Sequence, residues 1–101
     1  MSYLKISIYI NEADQWQHRP LHLELLNALS KNGISGGTVL HAIAGFTLDN
    51  VVESTSLFHL GSKLPLVVQF VDTEEKIRPI LAEIKTMAAN RLVISQEVQV
   101  V

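Results

Sequence analysis

The sequence predicts an α+β fold built on an antiparallel sheet, and three observations carry that prediction. Apolar residues alternate with others from Tyr3 to Ile10, the period of a half-buried strand. Two later stretches, Leu21 to Leu29 and Ile77 to Ala88, space them three and four apart, as a helix with one buried face requires. Further strand-like runs precede and follow the second of these, so the order is strand, helix, strand, strand, helix, strand. That order suits a ferredoxin-like βαββαβ sandwich with both helices on one face of the sheet.

In the first strand Leu4, Ile6, Ile8 and Ile10 share one face, and Tyr3, Lys5, Ser7 and Tyr9 the other. Asn11 to Arg19 is polar and reads as a loop, with Trp16 as its one large apolar group. Pro20 suits the first turn of a helix. Leu21, Leu25, Ala28 and Leu29 then form a stripe that Leu26 widens, and Asn32-Gly33 ends the helix, glycine being free to turn left-handed.

The second strand runs from Gly36 to Phe46, with β-branched and aliphatic residues between a glycine pair and Gly45. The connection from Thr47 to Lys63 is long for a compact domain, which points to a functional loop whose middle extends as a hairpin arm. Leu66 to Val71 is apolar on both faces, so the face with Val67 and Val71 needs cover that a partner subunit supplies most simply. Asp72 is placed to cap the second helix, with Glu75 three residues later and carboxylates at the positive end of the dipole. Pro79 interrupts the stripe of Ile77, Ile80, Leu81, Ile84 and Ala88. Inside a helix it costs about 3 kcal/mol, so a bend is expected there. Asn90 closes the helix, and Leu92 to Ile94 with Val98 to Val101 make a last strand, broken near Ser95-Gln96.

At 101 residues the chain is expected to be one domain, 1–101, with a core that needs no metal or disulfide. It has no cysteine, which excludes thiol catalysis and suits a cytoplasmic protein. A net charge of −2 lacks the basic excess of a nucleic-acid surface. The amino terminus has no basic region followed by a long apolar run, so neither a signal peptide nor a membrane span is expected.

Candidate chemistry is sparse. His18 and His22 stand at a metal-ligand spacing, but Pro20 lies between them and no third ligand follows; His41 and His59 read as structural or surface residues. Ser54-Thr55-Ser56 lacks a glycine-flanked elbow, and the Glu12/Asp14 and Glu74/Glu75 pairs read as solvated caps. These residues do not indicate an enzyme. Anion binding is the stronger reading: backbone donors at the helix start after Asp72, with Lys76 and Arg78 near them and Arg19 and Arg91 beside the helices.

Gly37-Thr38-Val39, with Gly45-Phe46 ending the strand, resembles the second strand of PII signal-transduction proteins, which leads into the partner-binding T-loop. The closer resemblance is to the PII-like domain-of-unknown-function family 190. It rests on Asp14-x-Trp16 with Arg19-Pro20-Leu21, Gly36 to Leu40, Gly45-Phe46, Leu64-Pro65, and Val71 to Ile77. The resemblance implies a homotrimer with inward-facing sheets and a cleft between subunits that takes a small-molecule ligand, an adenine nucleotide. Gly37, Thr38 and Val39 would lie near the base and Lys76 near a phosphate, with Arg19 added from the first loop. Residues 47–63 would form the partner loop, with Val51, Glu53 and Ser54 at its centre, and a membrane transporter or metabolic enzyme as partner. No resident cofactor, metal or catalytic activity is implied. Three departures stand out: Asp72-Thr73-Glu74-Glu75 replaces a glycine-rich phosphate loop, Thr47 replaces a third glycine, and no Lys or Arg lies between Lys31 and Lys63. Two alternatives share the fold: a metal-binding trimer like the divalent-cation-tolerance proteins, or a small ferredoxin-like enzyme.

Overall fold

The computed structural model describes residues 2–46, 53–54 and 64–101. In chain order the elements are β1 (Tyr3–Asn11), β2 (Gln15–Trp16), β3 (Arg19–Pro20), α1 (Leu21–Lys31), β4 (Thr38–His41), β5 (Ala44–Gly45), β6 (Glu53–Ser54), β7 (Pro65–Thr73), α2 (Glu74–Ile77), α3 (Leu81–Met87) and β8 (Leu92–Val98). A four-stranded antiparallel sheet has the order β4-β7-β1-β8, which is the ferredoxin-like arrangement. The two smaller pairs, β2 with β3 and β5 with β6, stand outside it.

The alternation of β1 decides which face is covered. Ile6, Ile8 and Ile10 are fully buried with Val68 of β7, against Leu25 and Leu29 of α1 and Ile77 and Ile84 of the second helical segment. Each such side chain contributes about 1.5–3 kcal/mol by leaving water. The described helices therefore lie over one side of the sheet. The helix α1 stops where expected, Gly33 taking φ +78° and its N–H donating to the Ser30 carbonyl at 3.1 Å.

Several elements differ from the sequence reading. The polar stretch after β1 folds as a hairpin, with Trp16 paired to Arg19 and both intervening residues, Gln17 and His18, at positive φ. Such a two-residue turn normally uses Asn or Gly. Here the stretch is anchored from outside: Arg91 donates to both carboxylate oxygens of Asp14 at 2.8 Å, and the Asn11 N–H donates to Asp14 Oδ2.

The second strand is shorter than Gly36 to Phe46, because pairing with β7 runs only from Thr38 opposite Gln69 to His41 opposite Leu66. Beyond it Ala42 donates to the Pro65 carbonyl and the backbone turns out to pair β5 with β6. The third strand is longer than Leu66 to Val71, since β1 holds it from Pro65 to Thr73. The last strand is unbroken from Leu92 to Val98, for β1 pairs continuously through Ser95 and Gln96, and Val100 and Val101 lie past its end. Pro79 interrupts the second helix as expected: Arg78–Ile80 form a 3-10 turn between α2 and α3.

The capping residue is Thr73 rather than Asp72. Thr73 Oγ1 accepts from the Lys76 N–H at 3.4 Å. Asp72 still belongs to β7, with its carboxylate buried between that strand and the segment after α1.

Candidate ligand cleft at the sheet edge

The face of the sheet opposite the helices carries no helix among the described residues, and at its centre only Ser7, 2% exposed, is buried by its neighbours. Strand register lines up Leu40, Val67, Tyr9 and Leu92 across all four strands, an apolar row. Leu40 is 48% exposed and Leu92 60%. Next to it Thr38, Gln69, Ser7 and Ile94 form a mixed row, and beyond that come Val71, Lys5 and Gln96.

At the edge where β4 begins there is a cleft of about 310 Å³. Gly36, Gly37 and Thr38 form one wall, while Gln69, Phe70 and Val71 of β7 form the other and Lys5 of β1 reaches in. It exists because β7 outruns β4: the strand continues to Thr73 while β4 pairs no further than Gln69. Gly37 sits close to α1, since an added Cβ would lie 3.1 Å from Leu26 Cδ2 and 3.3 Å from Leu29 Cδ1.

A buried carboxylate holds this wall. Asp72 Oδ2 accepts from both the N–H and the hydroxyl of Ser35 at 3.0 Å, and Oδ1 accepts from the Thr73 N–H at 2.7 Å. Burial works against the charged form, but the hydrogen bonds from Ser35 and Thr73, with the Lys76 ammonium, outweigh it and hold the Asp72 carboxyl below its ordinary range. Asp14 behaves likewise: burial opposes its charge, and the Arg91 guanidinium and Asn11 N–H keep its carboxyl low.

The residues singled out in the sequence are divided by the fold. Gly37 and Thr38 line the cleft. Val39 faces the other way and packs against the core. The Lys76 ammonium lies 4.0 Å from Asp72 Oδ2 and is not among the described groups that line the cleft. Arg19, on β3, follows the end of β1 near Pro65, whereas the cleft lies toward the end near Thr73, so one subunit does not bring them together. Arg78 pairs with Glu74 and Arg91 with Asp14. Val51 lies outside the described residues, and Glu53 and Ser54 form β6, opposite Gly45 and Ala44. Leu64 is tied to the residue that follows β1: Glu12 and Leu64 exchange hydrogen bonds at 3.0 Å, and His41 Nε2 lies 3.5 Å from Glu12 Oε1. His18 stands in the hairpin turn and His22 on α1. Among the described residues no three His, Cys, Asp or Glu side chains gather as a metal site, and no helix is long and apolar enough to cross a membrane.

Sequence reasoning missed Lys5, Gln69, Ser35 and Asp72 as parts of this site. Lys5 and Gln69 showed only as outward residues of strands, and the Ser35 to Asp72 contact spans 37 positions.

Residues 3–100 match the family described as DUF190, uncharacterized ACR. The chain belongs to that family. A UPF0166 protein of Aquifex aeolicus is 35% identical to this DUF190 chain over 96 residues, 95% of this chain and 90% of that one. Another from Methanocaldococcus jannaschii is 31% identical over 85 residues, 84% of this chain and 78% of the relative. Among solved structures, CPII of Thiomonas intermedia K12, a nitrogen regulatory PII-like protein bound to ADP, AMP and bicarbonate, superposes with a TM-score of 0.70. It is 18% identical, over 99% of this chain and 89% of CPII. GlnK of B. subtilis superposes with a TM-score of 0.57 at 15% identity, over 98% and 87% of the two chains. The fold of this DUF190 chain is thus PII-like.

Proposed function

We propose that this chain is a PII-like regulator, not an enzyme, that assembles as a trimer through the open sheet face. It binds an adenine nucleotide in the clefts between subunits and acts on a partner protein through residues 47–63. The observation that carries this reading is the cleft at Gly36 to Thr38, placed at the margin of an apolar face without cover among the described residues. A neighbouring subunit seated on that face would close the cleft, and could bring a distant group such as Arg19 to it. CPII, which shares the fold, was solved with ADP and AMP bound, and this supports the choice of ligand.

The ligand would act on the partner by favouring one loop arrangement, which requires that it bind the two arrangements with different affinity. Residues Ala42 to Phe46 lead directly from the strand beside the cleft into the loop. A transporter or metabolic enzyme is the class of partner proposed. The domain 1–101 acts as one unit in the cytoplasm in this reading.

Calorimetric titration of the assembled protein with ATP, ADP, AMP and cyclic AMP tests the proposal. Saturable binding at about one ligand per subunit is expected, weakened by Thr38→Val. Absence of heat with any of the four at concentrations near 1 mM, equivalent to binding weaker than about −4 kcal/mol, would contradict it.

A further inference from the structure

A second recess, of about 440 Å³, opens on the helix side of the sheet between α1, α3 and the β2-β3 hairpin. It shares no lining residue with the cleft at Gly36 to Thr38. The hairpin is held there under strain, since Gln17 and His18 both take positive φ, 53° and 67°, which residues other than glycine and asparagine seldom adopt. The paired hydrogen bonds from Arg91 to Asp14 keep it in place. This strain sets Trp16 and Gln17 at one end of the recess.

The floor is apolar and the walls are charged. Ala28 and Met87 are buried beneath the recess. Glu24 stands in the first turn of α1, at the hairpin end, because β3 runs directly into that helix. Lys31 closes α1 seven positions later, two turns along the same face and about 10 Å away at 1.5 Å per residue. Glu83 of α3 stands at the Lys31 end, where its Oε1 accepts from Asn32 Nδ2 at 3.3 Å, and Asn27 Nδ2 donates likewise to Glu24 at 3.0 Å. Each amide orients its carboxylate through one oxygen. Among the described residues Glu24, Lys31 and Glu83 form no ion pair.

The two ends therefore suit different groups. Near Trp16 an aromatic ring and a carboxylate stand together, a setting for a cation. At the other end an ammonium and a carboxylate stand together, a setting for a group that carries both charges. An extended basic amino acid, roughly 7 Å between its charged ends, with a hydrogen bond of about 3 Å at either end, covers the distance.

We propose that this recess binds a free basic amino acid, arginine or lysine. The side-chain cation lies at Trp16 and Glu24, the aliphatic stem crosses Ala28 and Met87, and the α-carboxylate and α-ammonium meet Lys31 and Glu83. Two carboxylates and one ammonium in the protein match two cations and one carboxylate in the ligand. The site stands whether or not a nucleotide binds at the sheet edge. An arginine side chain within a partner's peptide would bring the same cation, so the test separates the two sources.

Trp16 is the one tryptophan of the chain, and its fluorescence reports on the recess directly. The full chain, its mass and circular dichroism checked for each variant, is titrated by fluorescence and calorimetry with L-arginine, L-lysine, agmatine, L-citrulline and acetyl-arginine amide. Saturable binding of arginine or lysine with a change in fluorescence is expected. Agmatine lacks the carboxylate, citrulline the side-chain charge, and acetyl-arginine amide both backbone charges. Each should bind at least about tenfold more weakly than arginine, the scale of one lost charge-assisted hydrogen bond. Glu24→Gln should bring arginine to the level of citrulline, and Lys31→Met should bring it to the level of agmatine while leaving agmatine unchanged. Absence of saturation by arginine and lysine up to about 10 mM, or wild-type arginine affinity in both variants, would overturn the proposal. Acetyl-arginine amide binding as tightly as arginine would overturn it too, by giving the recess to a peptide.

Discussion

The two faces of the sheet are built from the same four strands and obey different rules. On the helix side the alternating residues of β1 and β7 are sealed within the chain, with Ile8 and Val68 at 0% exposure. On the other side Leu40 and Leu92 stay about half exposed or more, at 48% and 60%, in a row that ends beside a cleft. One face is satisfied by its own chain. The other stays open among the described residues.

The largest effect expected from this contrast is in the covered face. Ile8→Ala should destabilise the protein by about 2–5 kcal/mol, through lost burial and a cavity. Urea unfolding followed by circular dichroism measures this; a loss under about 1 kcal/mol would mean that the two faces differ less than their exposure indicates. Tyr9→Glu, the next residue along the same strand, points to the open side at 39% exposure. It should leave the circular dichroism spectrum in place while dissociating the assembly, since it sets a charge in the middle of the apolar row. Sedimentation velocity would show the fall in mass, and an unchanged mass would free this face from the proposed contact.

How far each face was legible follows from the range of its causes. The alternation of Leu4 to Ile10, the α1 stripe with Gly33 and the interruption at Pro79 are local signals, and the structure places them as read. Asp72 shows where local signals run out. Asp followed by Thr before two glutamates fits a cap at either residue, and the choice was made by Ser35, which takes the carboxylate out of the helix start. Likewise Gln17-His18 carries no hairpin signal, because the hairpin depends on Arg91 reaching Asp14 across 77 positions. Lys5 was visible as an outward residue, but its isolation on the face required the register of the other three strands of the sheet.

Asp72→Asn should be the next smaller effect, about 1–3 kcal/mol, as the charge-assisted bonds from Ser35 are weakened. It also changes the acid limb of stability. The carboxyls of Asp14 and Asp72 titrate lower in the folded chain than in the unfolded one, near 3.9. Their contribution is therefore complete above that unfolded value and is lost as the pH falls through the folded values. Urea unfolding from pH 7 down to pH 2 should show stability falling below about pH 4, with a shallower fall in Asp72→Asn. A fall of equal steepness in the variant would deny Asp72 this role. The smallest effect belongs to the glycine pair. Gly36→Ala meets nothing within 4 Å and should stay within about 0.5 kcal/mol, whereas Gly37→Ala presses on Leu26 and Leu29 and should cost more. Thermal melts that reversed this order would contradict the packing of the cleft wall against α1.

Native mass spectrometry with and without ADP tests the central claim most directly, because it reads the covering of the open face and the filling of the cleft together. The account predicts a species of three times the 11.2 kDa chain mass, carrying up to one ADP per subunit. A monomer or dimer, or a trimer that takes up no ADP at near-millimolar concentration, would contradict it.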